Sequence, residues 1–113
     1  MDSIGAVTRP TPEAEPDRLG AALTRAYPRR RSHVRARAVE GEVLILDRRR
    51  QLVHQLNRTA GFIWDRCDGE HSVAAIAHEV AEAFDVDAAA ARTDVAGTVR
   101  RLDAAGLVEL WPA

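Results

Sequence analysis

Residues 34–64 read VRARAVEGEVLILDRRRQLVHQLNRTAGFIW, and the fold turns on where the apolar period changes inside them. In residues 34–40, Val34, Ala36 and Ala38 alternate with Arg35 and Arg37, the period of a half-buried strand. Gly41 punctuates. Val43, Leu44, Ile45 and Leu46 then form a continuous apolar run, which predicts a strand buried on both faces or close to it. Residues 47–50, Asp-Arg-Arg-Arg, form a polar turn. Residues 51–56 alternate again, with Leu52, His54 and Leu56 on one face and Val53 and Gln55 on the other. Three strands with such short connections give an antiparallel meander. At Asn57, a favoured N-cap, the period turns helical, and Ala60, Ile63, Trp64 and Cys67 share a face.

Working downstream, Asp68 and Gly69 close this first helix. Ser72 caps a second, with the stripe Val73, Ile76, Ala77, Val80, Ala81 and Phe84. Asp87 caps a third, with Ala91, Val95, Val99 and Leu102 on one face and Gly106 as a left-handed stop. Residues 107–111 predict a short terminal strand. Upstream, residues 17–27 predict a short helix capped by Asp17, with Leu19, Leu23 and Ala26 on one face and Pro28 ending it. Arg29, Arg30 and Arg31 read as a solvated linker, and residues 1–16, with Pro10, Pro12 and Pro16, as a disordered tail. The expected organisation is an N-terminal extension over residues 1–33 and one domain over 34–111. Strands first and helices after is α+β segregation. A three-stranded antiparallel sheet followed by three helices is also the plan of a winged helix-turn-helix domain.

Composition bounds what such a domain does. The 113 residues fit one small domain. All 16 basic residues are Arg, set against 17 acids, so a globally basic nucleic-acid coat is excluded. The charge is uneven: +2 over residues 1–33, +3 over 34–58 and −6 over 59–113. Of the apolar residues 21 are Ala, which leaves Trp64, Phe62 and Phe84 to carry much of the expected core volume. Cys67 is the single cysteine, so no intrachain disulfide forms. The first thirty residues lack the apolar stretch of a signal peptide, and no run reaches membrane-spanning length. A soluble cytoplasmic domain in a reducing compartment is expected.

Candidate chemistry is sparse. Cys67 and His71 are four apart, but Asp68 and Gly69 break the helix between them, and Cys67 sits on an apolar stripe as a small hydrophobe would. His78 and Glu82 share a polar helix face, yet two ligands hold a metal weakly, and there is no Cys-x-x-Cys. No glycine-rich loop offers a phosphate cradle. No catalysis, metal or cofactor is expected. A winged-helix DNA-binding regulator is the alternative suggested by topology. The third helix, however, sets Arg92, Arg100 and Arg101 against Asp94 and Asp103 within an acidic half that repels phosphate.

A meander leaves sheet edges unpaired, and an edge accepts an added strand from an extended peptide. A few ladder bonds, each worth ~1 kcal/mol net, do not overcome the ordering of the peptide, so a side-chain pocket is needed. The third helix walls such a pocket on the side opposite its core stripe, through Arg92, Ala96, Arg100 and Asp103. Gly97 either lets a backbone approach or relieves packing against a neighbouring helix. An exposed edge also offers a route to a homodimer by strand pairing or swapping.

The ordered set Leu56-Asn57, Ala60, Ile63-Trp64, Asp68-Gly69, Val73, Ile76, Phe84-Asp85-Val86, Asp94-Val95, Leu102 and Gly106-Leu107-Val108 resembles the PqqD-like family, also called the RiPP recognition element. The resemblance covers residues 34–110 and implies a winged-helix-like fold without catalysis. It implies that the chain binds the leader of a ribosomally made precursor peptide as an extra antiparallel strand. It further implies delivery of that leader to a modifying enzyme, either a radical SAM enzyme or, as in lasso-peptide systems, a leader peptidase. Carried onto this sequence, the binding strand is Gln51, Leu52, Val53, His54, Gln55 and Leu56. The helical wall is Arg92, Ala96, Val99, Arg100 and Asp103. Arg48, Arg49 and Arg50 stand beside that edge, either as a solvated turn or facing acidic leader residues. Family members often carry aromatic residues in this strand, where this sequence has Val53 and His54. Residues 1–33 lack a counterpart in short members and are expected to be disordered, to pack on the sheet or to contact a partner enzyme.

Overall fold

The computed structural model describes residues 22–112. Its elements run β1 (Tyr27–Arg30), β2 (Val34–Val39), β3 (Glu42–Asp47), β4 (Leu52–Leu56), α1 (Arg58–Asp65), α2 (Val73–Phe84), α3 (Ala88–Ala104) and β5 (Val108–Trp111). The expected meander is present as an antiparallel sheet of order β2-β3-β4, with Ile45 opposite both Ala36 and His54.

Turn chemistry fixes the register. Glu40 and Gly41 both have positive φ, 52° and 85°, the pairing that lets a two-residue hairpin match the strand twist. In the second hairpin, Asp47 Oδ1 accepts from the N–H groups of Arg49 and Arg50 at 3.0 and 3.2 Å. Asp47 is only 1% exposed, and Gln51 closes the turn at φ 57°. Gln51 therefore belongs to the turn, and the strand begins at Leu52 rather than one residue earlier.

Residues 43–46 depart from the expected two-sided burial. Only the inner face of the sheet is covered, so Ile45 is fully buried while Leu46 is 41% exposed on the outer face beside Arg35 and Val53.

The three helices begin at the expected caps. Asn57, Ser72 and Asp87 each accept a backbone N–H three residues on, at 2.8, 3.0 and 3.1 Å. The first helix is shorter than expected, with its C-cap at Arg66. Helix α2 ends on Asp85 in the left-handed region, and Val86 N–H donates to the Ala81 carbonyl. At the end of α3, Gly106 has φ 76°, Leu107 N–H donates to Leu102 at 2.9 Å and Gly106 N–H to Asp103 at 3.0 Å. That is the paired-bond stop for which glycine is suited.

The core is built from Ile45, Ile63, Ile76, Val80, Val95, Val99, Leu107 and Val108, with Trp64 and Leu102 beside them. Phe62 and Phe84 do not fill it as expected. They are half-buried and meet edge to face at its rim, centroids 5.3 Å apart.

The largest correction lies upstream. Residues 22–24 are helical, but the chain turns at Arg25 and leaves the expected helix early. Asp17, Leu19 and the tail over residues 1–16 lie outside the described residues. The supposed linker is strand β1, antiparallel to β5, with Tyr27 opposite Trp111. Its other side bonds to the loop after α1, through Arg30 N–H to Cys67 O and Gly69 N–H to Pro28 O, both 2.9 Å. The Arg30 guanidinium donates to the carbonyls of Trp64 and Asp65, each at 2.9 Å, and lies 5.9 Å from the Trp64 ring centre. It adds a second donor to the Trp64 carbonyl, which also accepts from Cys67 N–H at 3.1 Å, and supplies one to the Asp65 carbonyl at the end of α1.

Candidate functional site

The sheet order leaves the far edge of β4 without a neighbouring strand among the described residues. Its first residues are strongly exposed for their kind, Leu52 at 47% and Val53 at 63%, while Leu56 is buried and anchors the strand. Helix α3 stands across from this edge. Between them opens a cavity of about 480 Å³. His54, Gln55 and Leu56 line it from the strand, Asn57 and Ala60 from the start of α1, and Thr98, Arg101, Leu102 and Ala105 from α3 and its cap. A second cavity continues it past Asn57 and Ala60 toward Asp94 and Gly97. The two form one groove along α3, apolar at its base and polar at its rim, within the size range of ligand sites.

Two polar groups in the groove are distinctive. His54 Nε2 is buried with no hydrogen-bond partner among the described residues. Such an atom costs ~1–3 kcal/mol until something bonds it. Arg101 folds back along its helix and donates to Thr98 Oγ1 at 3.3 Å. At the rim the Gln55 amide donates to the Glu42 carboxylate.

Of the residues expected from sequence, Leu52, Val53, His54 and Gln55 are on the free strand, with His54 and Gln55 in the cavity wall. The helical set is not brought to the groove. Val99 is 0% exposed and belongs to the core, Ala96 packs half-buried against that core, and Arg92, Arg100 and Asp103 are exposed. At about 100° per residue these five lie on the opposite side of α3 from Thr98, Arg101 and Ala105. The expectation took the groove to lie directly away from the core stripe, whereas a groove between two packed elements borders the core. The missed residues did carry a signal: Asp94, Thr98, Arg101 and Ala105 recur at helical spacing, flanked by Gly97. A Cβ at Gly97 would meet only the Arg101 guanidinium, at 3.4 Å, so this glycine relieves no helix packing.

The other candidates are structural. Cys67 is fully buried, and burial pushes its thiol up to about 12, which leaves it inert. His71 bonds Asp68 at 3.0 Å and Glu79 at 3.3 Å, and Glu79 in turn holds Arg66 over the Phe62 ring. The His71 hydrogen bond is the main reason the Asp68 carboxyl is lowered to about 2. His78 and Glu82 form an exposed pair, and no cluster of three metal-ligating side chains occurs among the described residues. No helix among them is long and apolar enough to cross a membrane.

The sequence model of the family described as Coenzyme PQQ synthesis protein D (PqqD) matches residues 42–108. The chain belongs to the PqqD family. That match spans every element from β3 to the start of β5, and so includes both walls of the groove. None of the curated proteins matches this chain. Two solved structures resemble it. Lasso peptide synthetase B1 complexed with the leader peptide superposes with a TM-score of 0.67 at 28% identity, over 74% of this chain and 99% of that one. TbiB1 in complex with the TbiA(beta) leader peptide has a TM-score of 0.66 at 18% identity, over 72% of this chain and 94% of that one, and supports the fold alone.

Proposed function

We propose that this PqqD-family chain binds the leader segment of a ribosomally made precursor peptide and presents it to a maturation enzyme, without catalysing a reaction itself. The observation that carries the reading is the edge of β4, unpaired among the described residues, whose His54, Gln55 and Leu56 line a groove walled by α3. An extended peptide added to β4 gains ladder bonds, and its alternate side chains reach Leu56, Leu102 and Ala105. The solved relative at 28% identity is named as a leader-peptide complex, which supports the same use here. Either a radical SAM enzyme or a leader peptidase fits as the recipient. The cytoplasm, where precursors are made, is the matching compartment.

The test contrasts the two sides of α3. Gly97→Trp fills the groove without disturbing a packed neighbour, whereas Arg100→Ala alters the far face. Titration of a labelled precursor leader should lose at least tenfold in affinity with Gly97→Trp and stay within twofold with Arg100→Ala. The reverse pattern puts the ligand on the Arg92 and Ala96 side. A duplex DNA control separates peptide from nucleic acid, since phosphate contacts weaken steeply with salt.

A further inference from the structure

The groove and its strand edge differ in charge from end to end. At the start of β4 stand Arg48, Arg49 and Arg50, all exposed and without an ion-pair partner among the described residues. The acid between them and the sheet, Asp47, is turned inward onto the backbone of Arg49 and Arg50 and faces His33. The Arg50 guanidinium reaches across to Gly106, just past the end of α3, and so stands at the mouth of the cleft. Arg49 opens onto a cavity that it shares with Arg29, Arg30 and Arg31, where Glu109 pairs with Arg31 and the balance beyond the turn stays positive. The opposite end is mixed. There Glu42 and Asp94 line the groove and are offset by Arg101 in the same walls.

A strand added antiparallel to β4 enters beside Leu56 and leaves beside Leu52. We propose that the site reads the direction of its ligand by charge, accepting a segment whose acidic residues follow the docked strand on its C-terminal side, where they meet Arg48, Arg49 and Arg50. The inference rests on the strand-addition reading above, takes its antiparallel sense from that reading, and adds to it a chemical class and the end at which it is read. At about 3.3 Å per residue, the first four residues after the docked strand cover the turn. The attraction acts between exposed groups, so it is worth no more than a few-fold per charge and fades with salt. It discriminates mainly by disfavouring the reversed or basic-flanked alternative.

The experiment selects binders from a displayed library of random 14-residue peptides, using the full chain and an Arg48→Glu/Arg49→Glu variant whose fold is checked by circular dichroism. On the native chain, Asp and Glu should be enriched after the apolar strand residues. On the variant that enrichment should vanish or turn to Lys and Arg. Replacing the selected acids by their amides should cost about 3- to 10-fold in affinity at low salt, and less at high salt. A nitroxide at the C-terminus of a selected peptide should broaden amide signals of residues 48–52, and one at its N-terminus those of 56–60. Acids enriched before the strand, no charge preference, or the opposite broadening pattern overturns the inference and leaves strand addition standing. A selection that yields no binder overturns strand addition itself, and the inference with it.

Discussion

At Gly61 a single hydrogen atom decides how close α1 lies to the sheet. A Cβ there would sit 2.7 Å from Val43 Cγ2, closer than packed carbons come. Gly61→Ala should therefore destabilise the chain by about 1–3 kcal/mol despite the better helix propensity of alanine, read from urea unfolding. Gly97 is the contrasting case. It faces the groove with nothing but a flexible arginine nearby, so Gly97→Ala should raise stability by about 0.5–1 kcal/mol. Both are mid-helix glycines in the sequence, and no local pattern separates them, because the difference lies in what comes near from elsewhere. Asp68 gives a residue-scale pH signature. Its carboxyl is lowered from 3.8 to about 2, chiefly by the hydrogen bond with His71. The stability this adds is fully present above the ordinary value and is lost as pH falls through about 2. Asp68→Asn should flatten that acid limb in thermal melts recorded between pH 5 and pH 2.

At the level of elements, the caps and periods of the three helices and the meander are legible because each rests on residues close in sequence. Asn57, Ser72 and Asp87 cap where expected, and Gly106 stops α3 where expected. The strand half of the candidate site is legible for the same reason, since an edge strand announces itself by alternation and short turns. The helical half is not. Which flank of α3 faces β4 depends on which flank α2 occupies, and that is a matter of tertiary packing. Two of the expected helical residues separate on this ground. Ala96 packs against the core, so Ala96→Glu should be felt in stability, whereas Arg100→Ala should leave unfolding within about 0.5 kcal/mol of the parent. Parallel denaturant titrations of the two variants check this.

The molecule as a whole depends on a strand that composition conceals. Arg29, Arg30 and Arg31 read as a solvated linker, yet the first two belong to a strand with Tyr27 and Pro28, Pro28 is buried, and Arg30 closes the end of α1. Leu23 and Ala26 are buried as well, so the fold extends upstream of residue 34. A chain beginning at Val34 should lose several kcal/mol relative to one beginning at Ala22, because Val108 and Leu107 lose their cover and β5 its partner. Arg30→Ala in the full chain should cost about 1 kcal/mol through the two guanidinium hydrogen bonds it removes from the Trp64 and Asp65 carbonyls, again by denaturant titration.

The pairing of β1 with β5 also sets the order of events in folding. Arg31 and Val108 are 77 residues apart in sequence, whereas the hairpins and the α2–α3 pair close within their own neighbourhoods. Joining ends that distant costs chain entropy before any contact returns it, so this pairing forms late. In pulse-labelled hydrogen exchange the amides of β2, β3 and α3 should gain protection first. Those of Arg30 and Arg31 should come later, as the last ring of the chain is drawn shut.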